Sequence, residues 1–189
     1  HGTVWCFRRK KWRAHSVMET NAYICTVAAL AARMAGGCGK SDKSHKSMHT
    51  FLHVSDLGPL DVALREAAEI KQERYKYEHL GRHRTALLIF FNNSLRTRLS
   101  TQKAARNLGL DVVVLDVNQG AWKLETERGV VMDGDKSEHL LEAIPVMASY
   151  CDLIGVRTFA GLVDREADYA ENILTEFIRY SGRPVFSME

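Results

Sequence analysis

"TALLIFFNNSLRTRLSTQKAARNLGLDVVVLDV", residues 85–117, holds two apolar runs joined by a polar stretch. The first run, "TALLIFF" (85–91), lacks polar alternation, as expected of a strand buried on both faces. "RTRLSTQKAARNLGL" follows with helical composition and ends at Gly109, and "DVVVLDV" (111–117) repeats the buried-strand pattern. Strand, helix and strand without a hairpin turn make a βαβ unit, and βαβ units make parallel sheets.

The pattern continues on both sides. "DLGPLDVALREAAEIKQERYKYEHLG" (56–81) opens on an Asp/Gly/Pro turn and places Leu60, Leu64, Ala67 or Ala68 and Ile70 at helical spacing before Gly81. "SEHLLEAIPVMASY" (137–150) reads as a helix capped by Ser137, with Leu140, Leu141, Ile144 and Met147 on one face and a kink at Pro145. "DLIGVRTF" (152–159) is a third strand, 167–182 a helix, and "RPVFSM" (183–188) a fourth strand. The expected fold is α/β: a doubly wound parallel four-stranded sheet flanked by helices.

In such sheets ligands bind at the carboxyl ends of the strands. Here those ends are Asn92–Arg98, Asn118–Trp122, Arg157–Phe159 and Ser187–Glu189. If Ser94 opens the helix after strand one, its hydroxyl and the following N–H groups form an anion site at the positive end of the helix dipole. Arg96 and Thr97 would add a planar fork and a hydroxyl, which suits a phosphate. The alternative is a Ser cap with arginines on a solvated face. Arg157 stands in an otherwise apolar strand, where a charge needs a partner: a bound anion, or a local carboxylate. Trp122 lies in an aperiodic loop, and such a residue is more often packing or interface than ligand contact.

Composition limits the remaining classes. The 189 residues are 46% hydrophobic and 26% charged, and no apolar run approaches the roughly 18–20 residues that span a bilayer. Residues 1–50 hold nine Lys/Arg against Glu19 and Asp42, a net +7, so residues 51–189 carry a net −4 despite the overall +3. The acidic body has no basic footprint for nucleic acid. Cys6, Cys25, Cys38 and Cys151 form no Cys-x-x-Cys pair, which argues against a zinc site or disulfide framework and for a reduced, cytoplasmic domain.

Residues 1–47 permit several readings. The basic cluster before an alanine-rich stretch resembles a signal peptide interrupted by Arg33, and "AGGC" resembles a lipoprotein cleavage site. "GGCGKS" imitates a P-loop but has Met34 where the first glycine is required. The Ser/Lys/Gly-rich run 36–47 favours the plainer reading, a disordered or non-native leader with the domain starting at Met48.

Taken together, "FFNNSLRTRLSTQKAARNLG", "DVNQGAWKLETERGVVMDGD", "DLIGVRTF" and "GRPVFSME" resemble the carbamoyltransferase family, and most closely the branch acting on N-succinylornithine or N-acetylornithine. The similarity covers residues 48–189, the amino-terminal, carbamoyl phosphate-binding domain. It implies that Ser94, Leu95 (backbone), Arg96, Thr97 and Arg98 bind the phosphate, and that Arg157 also contacts carbamoyl phosphate. Arg96 and Arg157 would be the catalytic charges. Phe159 and Glu189 match positions near the amino-acid substrate, and Trp122 matches a residue reaching a neighbouring subunit's site. Ser137 stands where the succinyl branch tends to proline and the acetyl branch to glutamate, so it decides neither.

The resemblance further implies a homotrimer when full length, with no metal or redox cofactor. In its chemistry a neutral δ-amine attacks the carbamoyl carbon and phosphate leaves. The family's His-Pro-x-Gln segment follows Ser-Met-Glu, and the second domain follows that. If residues 1–189 are the whole product, the expectation is no transferase activity. The rivals are a non-catalytic carbamoyl phosphate-binding module and a nucleotide-binding α/β domain. The second lacks a Gly-x-Gly-x-x-Gly or intact P-loop after a strand.

Overall fold

The computed structural model describes residues 50–53, 56, 59–117, 122–159 and 171–188. Within them run β1 (Thr50–Phe51), α1 (Leu60–Gln72), a 3-10 turn (Glu78–Leu80), β2 (Thr85–Phe90), α2 (Leu95–Asn107) and β3 (Asp111–Asp116). These are followed by β4 (Leu124–Glu125), β5 (Glu138–His139), α3 (Leu140–Ser149), β6 (Leu153–Arg157), α4 (Asn172–Ser181) and β7 (Val185–Ser187). The leader 1–47 and the first residues of the expected helix 167–182 lie outside the described residues.

The main sheet has the order β1-β7-β6-β2-β3, and every pairing in it is parallel. It contains the four expected strands and a fifth, β1, whose two residues carried no periodic signal. From β2 the chain crosses to β3 on one side, whereas β6 and then β7 lie on the other. The crossover direction therefore reverses between β2 and β6, which makes the crevice at their carboxyl ends the topological switch point.

That reversal puts helices on both faces. Ala86, Leu88 and Phe90 of β2 pack with Ala104, Ala105 and Leu108 around α2 and with Ile70 of α1. The alternate residues Leu87 and Ile89 pack with Ala143 and Ile144 of α3 and Leu174 and Phe177 of α4. Buried on both faces, β2 can be apolar throughout, as its sequence is. On β6, Gly155 admits the ring of Phe186 so closely that a Cβ would stand 2.5 Å from Cζ.

Several details depart from the sequence reading. Strand β3 is not buried on both faces: it is the edge of the sheet, and Val113 is 51% exposed on its outer side. The inward stripe of α1 is Ala63, Ala67 and Ile70, while Leu60 and Leu64 are exposed, because the small alanines face the sheet and permit close approach. The cap of α3 is His139, whose Nδ1 accepts from the Leu141 N–H at 3.1 Å; Ser137 lies before β5 and its N–H donates to the Lys123 carbonyl at 2.9 Å. The stretch after β3 is no simple loop either, since β4 and β5 form a two-stranded parallel ladder across it. The helix continues through Pro145, which sits on its exposed side.

Cys151 follows α3, buried, with Sγ 3.4 Å from the Met147 carbonyl, and burial pushes its thiol up to about 11. Near neutral pH almost no thiolate is available for attack. Alkylation at pH 7.5 followed by peptide mapping should leave Cys151 unmodified in the native chain and modified in denaturant. Rapid native labelling there would contradict the packing.

Candidate functional site

The junction after β2 is built as a helix start facing the switch crevice. Ser94 has extended backbone (φ −152°, ψ 107°) and caps α2, its Oγ accepting from the Thr97 N–H at 3.3 Å and donating to Thr97 Oγ1 at 3.0 Å. Helix geometry leaves the N–H groups of Leu95 and Arg96 without an intrahelical acceptor. The first turn of α2 carries no acidic residue, in contrast to α1 with Asp61 and α3 with Glu142. Its positive dipole end is thus not neutralised from within the helix. Arg96 and the Leu95 side chain are exposed there, the latter at 72%.

The neighbouring strand end is fastened to this junction. The Asn92 side-chain carbonyl accepts from the Phe159 N–H at 2.9 Å, and the Phe91 N–H donates to the Arg157 carbonyl at 3.0 Å. The loop after β2 and the loop after β6 are therefore held side by side. Arg157 ends β6 with only 9% exposure, its guanidinium carbon 4.2 Å from the centroid of the half-exposed Phe159 ring. A guanidinium on an aromatic face in a largely dry setting is held in orientation as well as stabilised.

The last rung of the sheet brings a further pair together. Phe90 is in register with Asp116 on β3 and with Arg157 on β6. Residues in parallel register point to the same face, so Asp116, Phe90 and Arg157 form a row beneath α2. Arg98, one turn into α2, lies over the Phe90 ring at 4.7 Å and pairs with Asp116. Neither Asp116 nor Asn92 was singled out from the sequence. The usable signal was an aspartate closing an apolar strand, and an asparagine immediately after another.

The other sequence candidates are dispersed. Trp122 is half-buried and packs against the cluster on the α3/α4 face of its own chain. Ser137 is exposed at the foot of β5. Their loop is tied at its base by Lys123–Asp135 and to α4 by Arg128, which reaches Glu176 at 2.6 Å and the Tyr180 hydroxyl at 3.4 Å. Glu189 lies outside the described residues. Among the described residues no cluster of three His, Cys, Asp or Glu is placed to hold a metal ion, and no helix is long and apolar enough to cross a membrane.

The Ser94-capped start of α2 thus stands at the strand ends held beside Arg157, and its hydroxyls and first N–H groups are donors of the kind an anion with several oxygens takes. The family model described as aspartate/ornithine carbamoyltransferase, carbamoyl-P binding domain, matches residues 49–189. The chain is 69% identical over 142 residues to an N-succinylornithine carbamoyltransferase of Bacteroides thetaiotaomicron, covering 75% of this chain and 45% of that one. It is 41% identical over 145 residues to an N-acetylornithine carbamoyltransferase of Xanthomonas campestris pv. campestris, covering 76% and 42%. Among solved structures, a glutamate-to-serine variant of N-acetyl-L-ornithine transcarbamylase, complexed with carbamyl phosphate and N-succinyl-L-norvaline, superposes with a TM-score of 0.67. Its identity is 41%, covering 74% of this chain and 42% of that one. The chain thus spans less than half the length of these relatives.

Proposed function

The chain belongs to the aspartate/ornithine carbamoyltransferase family through its carbamoyl-P binding domain, and on that premise we propose that it binds carbamoyl phosphate at the β2/β6 crevice for transfer to the δ-amine of an N-acylated ornithine. The observation that carries the proposal is the convergence of the Ser94-capped helix start with Arg157 at the switch point. In this reading Ser94, Thr97 and the N–H groups of Leu95 and Arg96 hold the phosphate. Arg96 closes over it as a fork, and Arg157, steadied by Phe159, faces the carbamoyl end.

The chemistry follows from those placements. Attack by the uncharged amine on the carbamoyl carbon builds negative charge on the carbonyl oxygen, and that charge moves to the phosphate as the C–O bond breaks. Fixed cationic donors in a partly dry crevice stabilise both positions more than water would. Binding one substrate rigidly lowers the entropic cost of the encounter with the second. The domain described here supplies the carbamoyl phosphate site; the acceptor and its chemistry are expected from the full-length polypeptide, acting as a trimer in which the part of Trp122 not packed on its own chain faces the neighbouring site.

For the acceptor, N-succinylornithine is favoured over N-acetylornithine. The higher identity to the succinyl enzyme supports this. Phe159 and Glu189 would lie near this acceptor. An assay of the full-length polypeptide with N-succinylornithine, N-acetylornithine and ornithine should give the highest kcat/KM with the first. Ornithine as the best acceptor would overturn the assignment. Carbamoyl phosphate binding without turnover on any of them would favour a non-catalytic binding module.

A further inference from the structure

The geometry points to Asp116 as a positioning residue that acts through Arg98, drawing that guanidinium toward β3 so that the crevice beside β6 is left to Arg96 and Arg157; this rests on the carbamoyl phosphate reading above. Three observations place it there. Asp116, Phe90 and Arg157 share the last rung of the sheet and one face. Neighbouring strands lie about 4.8 Å apart, so Asp116 and Arg157 are separated by about twice that. Arg98 reaches down from α2 between them, over the Phe90 ring, and its Nη2 meets the carboxylate of Asp116 on the side away from Arg157.

Without that carboxylate, the Arg98 guanidinium over Phe90 would lose its anion and be free to turn along the rung toward Arg157 on Phe159, where the two like charges repel. The Arg98 backbone N–H also donates to the Ser94 carbonyl at 3.1 Å, so the residue that Asp116 holds by its side chain is the one that closes the first turn of α2. The Asp116–Arg98 pair therefore fixes where the Ser94 cap and the Leu95 and Arg96 N–H groups point. It also assigns Arg98 a role different from a direct phosphate ligand, since its guanidinium is already engaged with an anion and an aromatic face. The pair is about a quarter exposed on each side, so its contribution to global stability should be small.

The test is a double-mutant cycle on the full chain, with Arg96→Ala as reference. Calorimetric titration with carbamoyl phosphate at fixed salt would be run on wild type, Asp116→Asn, Arg98→Gln and the double variant, each with its thermal midpoint. Asp116→Asn and Arg98→Gln should each weaken binding about tenfold, the worth of one hydrogen bond to a charged group. The double variant should lose no more than either single one, and Asp116→Glu should recover most of the loss. Losses that add, with Arg98→Gln much the larger, would make Arg98 a direct ligand and overturn the proposal. Midpoints that fall while affinity holds would reduce the pair to a structural contact and overturn it too. If Arg96→Ala also leaves binding unchanged, the phosphate site itself is wrong; if only Arg96→Ala weakens it, the site stands and the positioning role does not.

Discussion

Arg157→Met is expected to weaken carbamoyl phosphate binding by about 100-fold while leaving the chain folded. The choice of methionine separates two effects. Arg157 is only 9% exposed and its guanidinium stacks on Phe159, so alanine would remove a packed stem and a ring contact together with the charge. Methionine keeps an unbranched stem of similar reach. Arg157 has a further partner within the chain, and removing one side of a buried charged contact can cost about 3–5 kcal/mol, so the denaturant midpoint is expected to fall and the titration belongs well inside the native baseline. The anion, in turn, loses a charge-assisted partner in a site with little water, about 3 kcal/mol at the upper end of such contacts, or roughly 100-fold. Arg157→Lys keeps the charge but not the planar fork or the stack, and should fall between the two. Calorimetric titration together with a denaturant midpoint decides the matter. Wild-type affinity in Arg157→Met would mean that the guanidinium serves the fold alone.

Arg157 also illustrates what the amino-acid sequence does and does not disclose. A lone arginine in "LIGVRTF" is conspicuous because every neighbour is apolar, and its place at a strand's carboxyl end followed from the βαβ pattern. Strands β2 and β6 were legible for the same reason: both are buried on both faces, so their apolar runs are unbroken. Strand β1 was not legible, because two residues carry no period and its pairing to β7 is a contact between residues far apart in the chain. The cap of α3 was misread because Ser137 has the conventional chemistry, whereas the imidazole of His139 performs the same task only in the geometry that β4 and β5 impose.

At the site, the contiguous residues Ser94 to Arg98 could be recognised as a helix start with donors. Which arginine serves which partner could not. Spacing treats Arg96 and Arg98 alike, and only the register of Phe90 with Asp116 shows that Arg98 turns toward β3. Asn92 likewise acquires its importance from Phe159, distant in sequence, whose N–H it receives. Hydrogen bonds between strand ends depend on sheet order, and sheet order is a property of the whole chain.

Arg96→Ala is expected to have the larger catalytic effect of the two arginine substitutions, at almost no cost in stability. Arg96 is exposed in the first turn of α2, and substitutions at such surface positions usually stay within about 0.5 kcal/mol. Its proposed task is performed only with substrate bound: a fork on the phosphate oxygens, next to the Leu95 and Arg96 N–H groups and the dipole of α2. Removing it should lower affinity for carbamoyl phosphate about 10- to 100-fold, from one or two charge-assisted hydrogen bonds. The loss in kcat of the full-length polypeptide should be greater, about 100- to 1,000-fold, because charge on the leaving phosphate grows as the C–O bond breaks and fixed donors act most strongly there. Arg96→Lys should retain part of the affinity and little of the rate, since an ammonium supplies charge without the bidentate geometry. Titration of the chain and steady-state kinetics of the full-length polypeptide measure the two effects separately. Equal binding heats for wild type and Arg96→Ala would remove the phosphate from this helix start. An equal loss in affinity and in kcat/KM with kcat unchanged would leave Arg96 as a binding residue whose contact does not strengthen in the transition state.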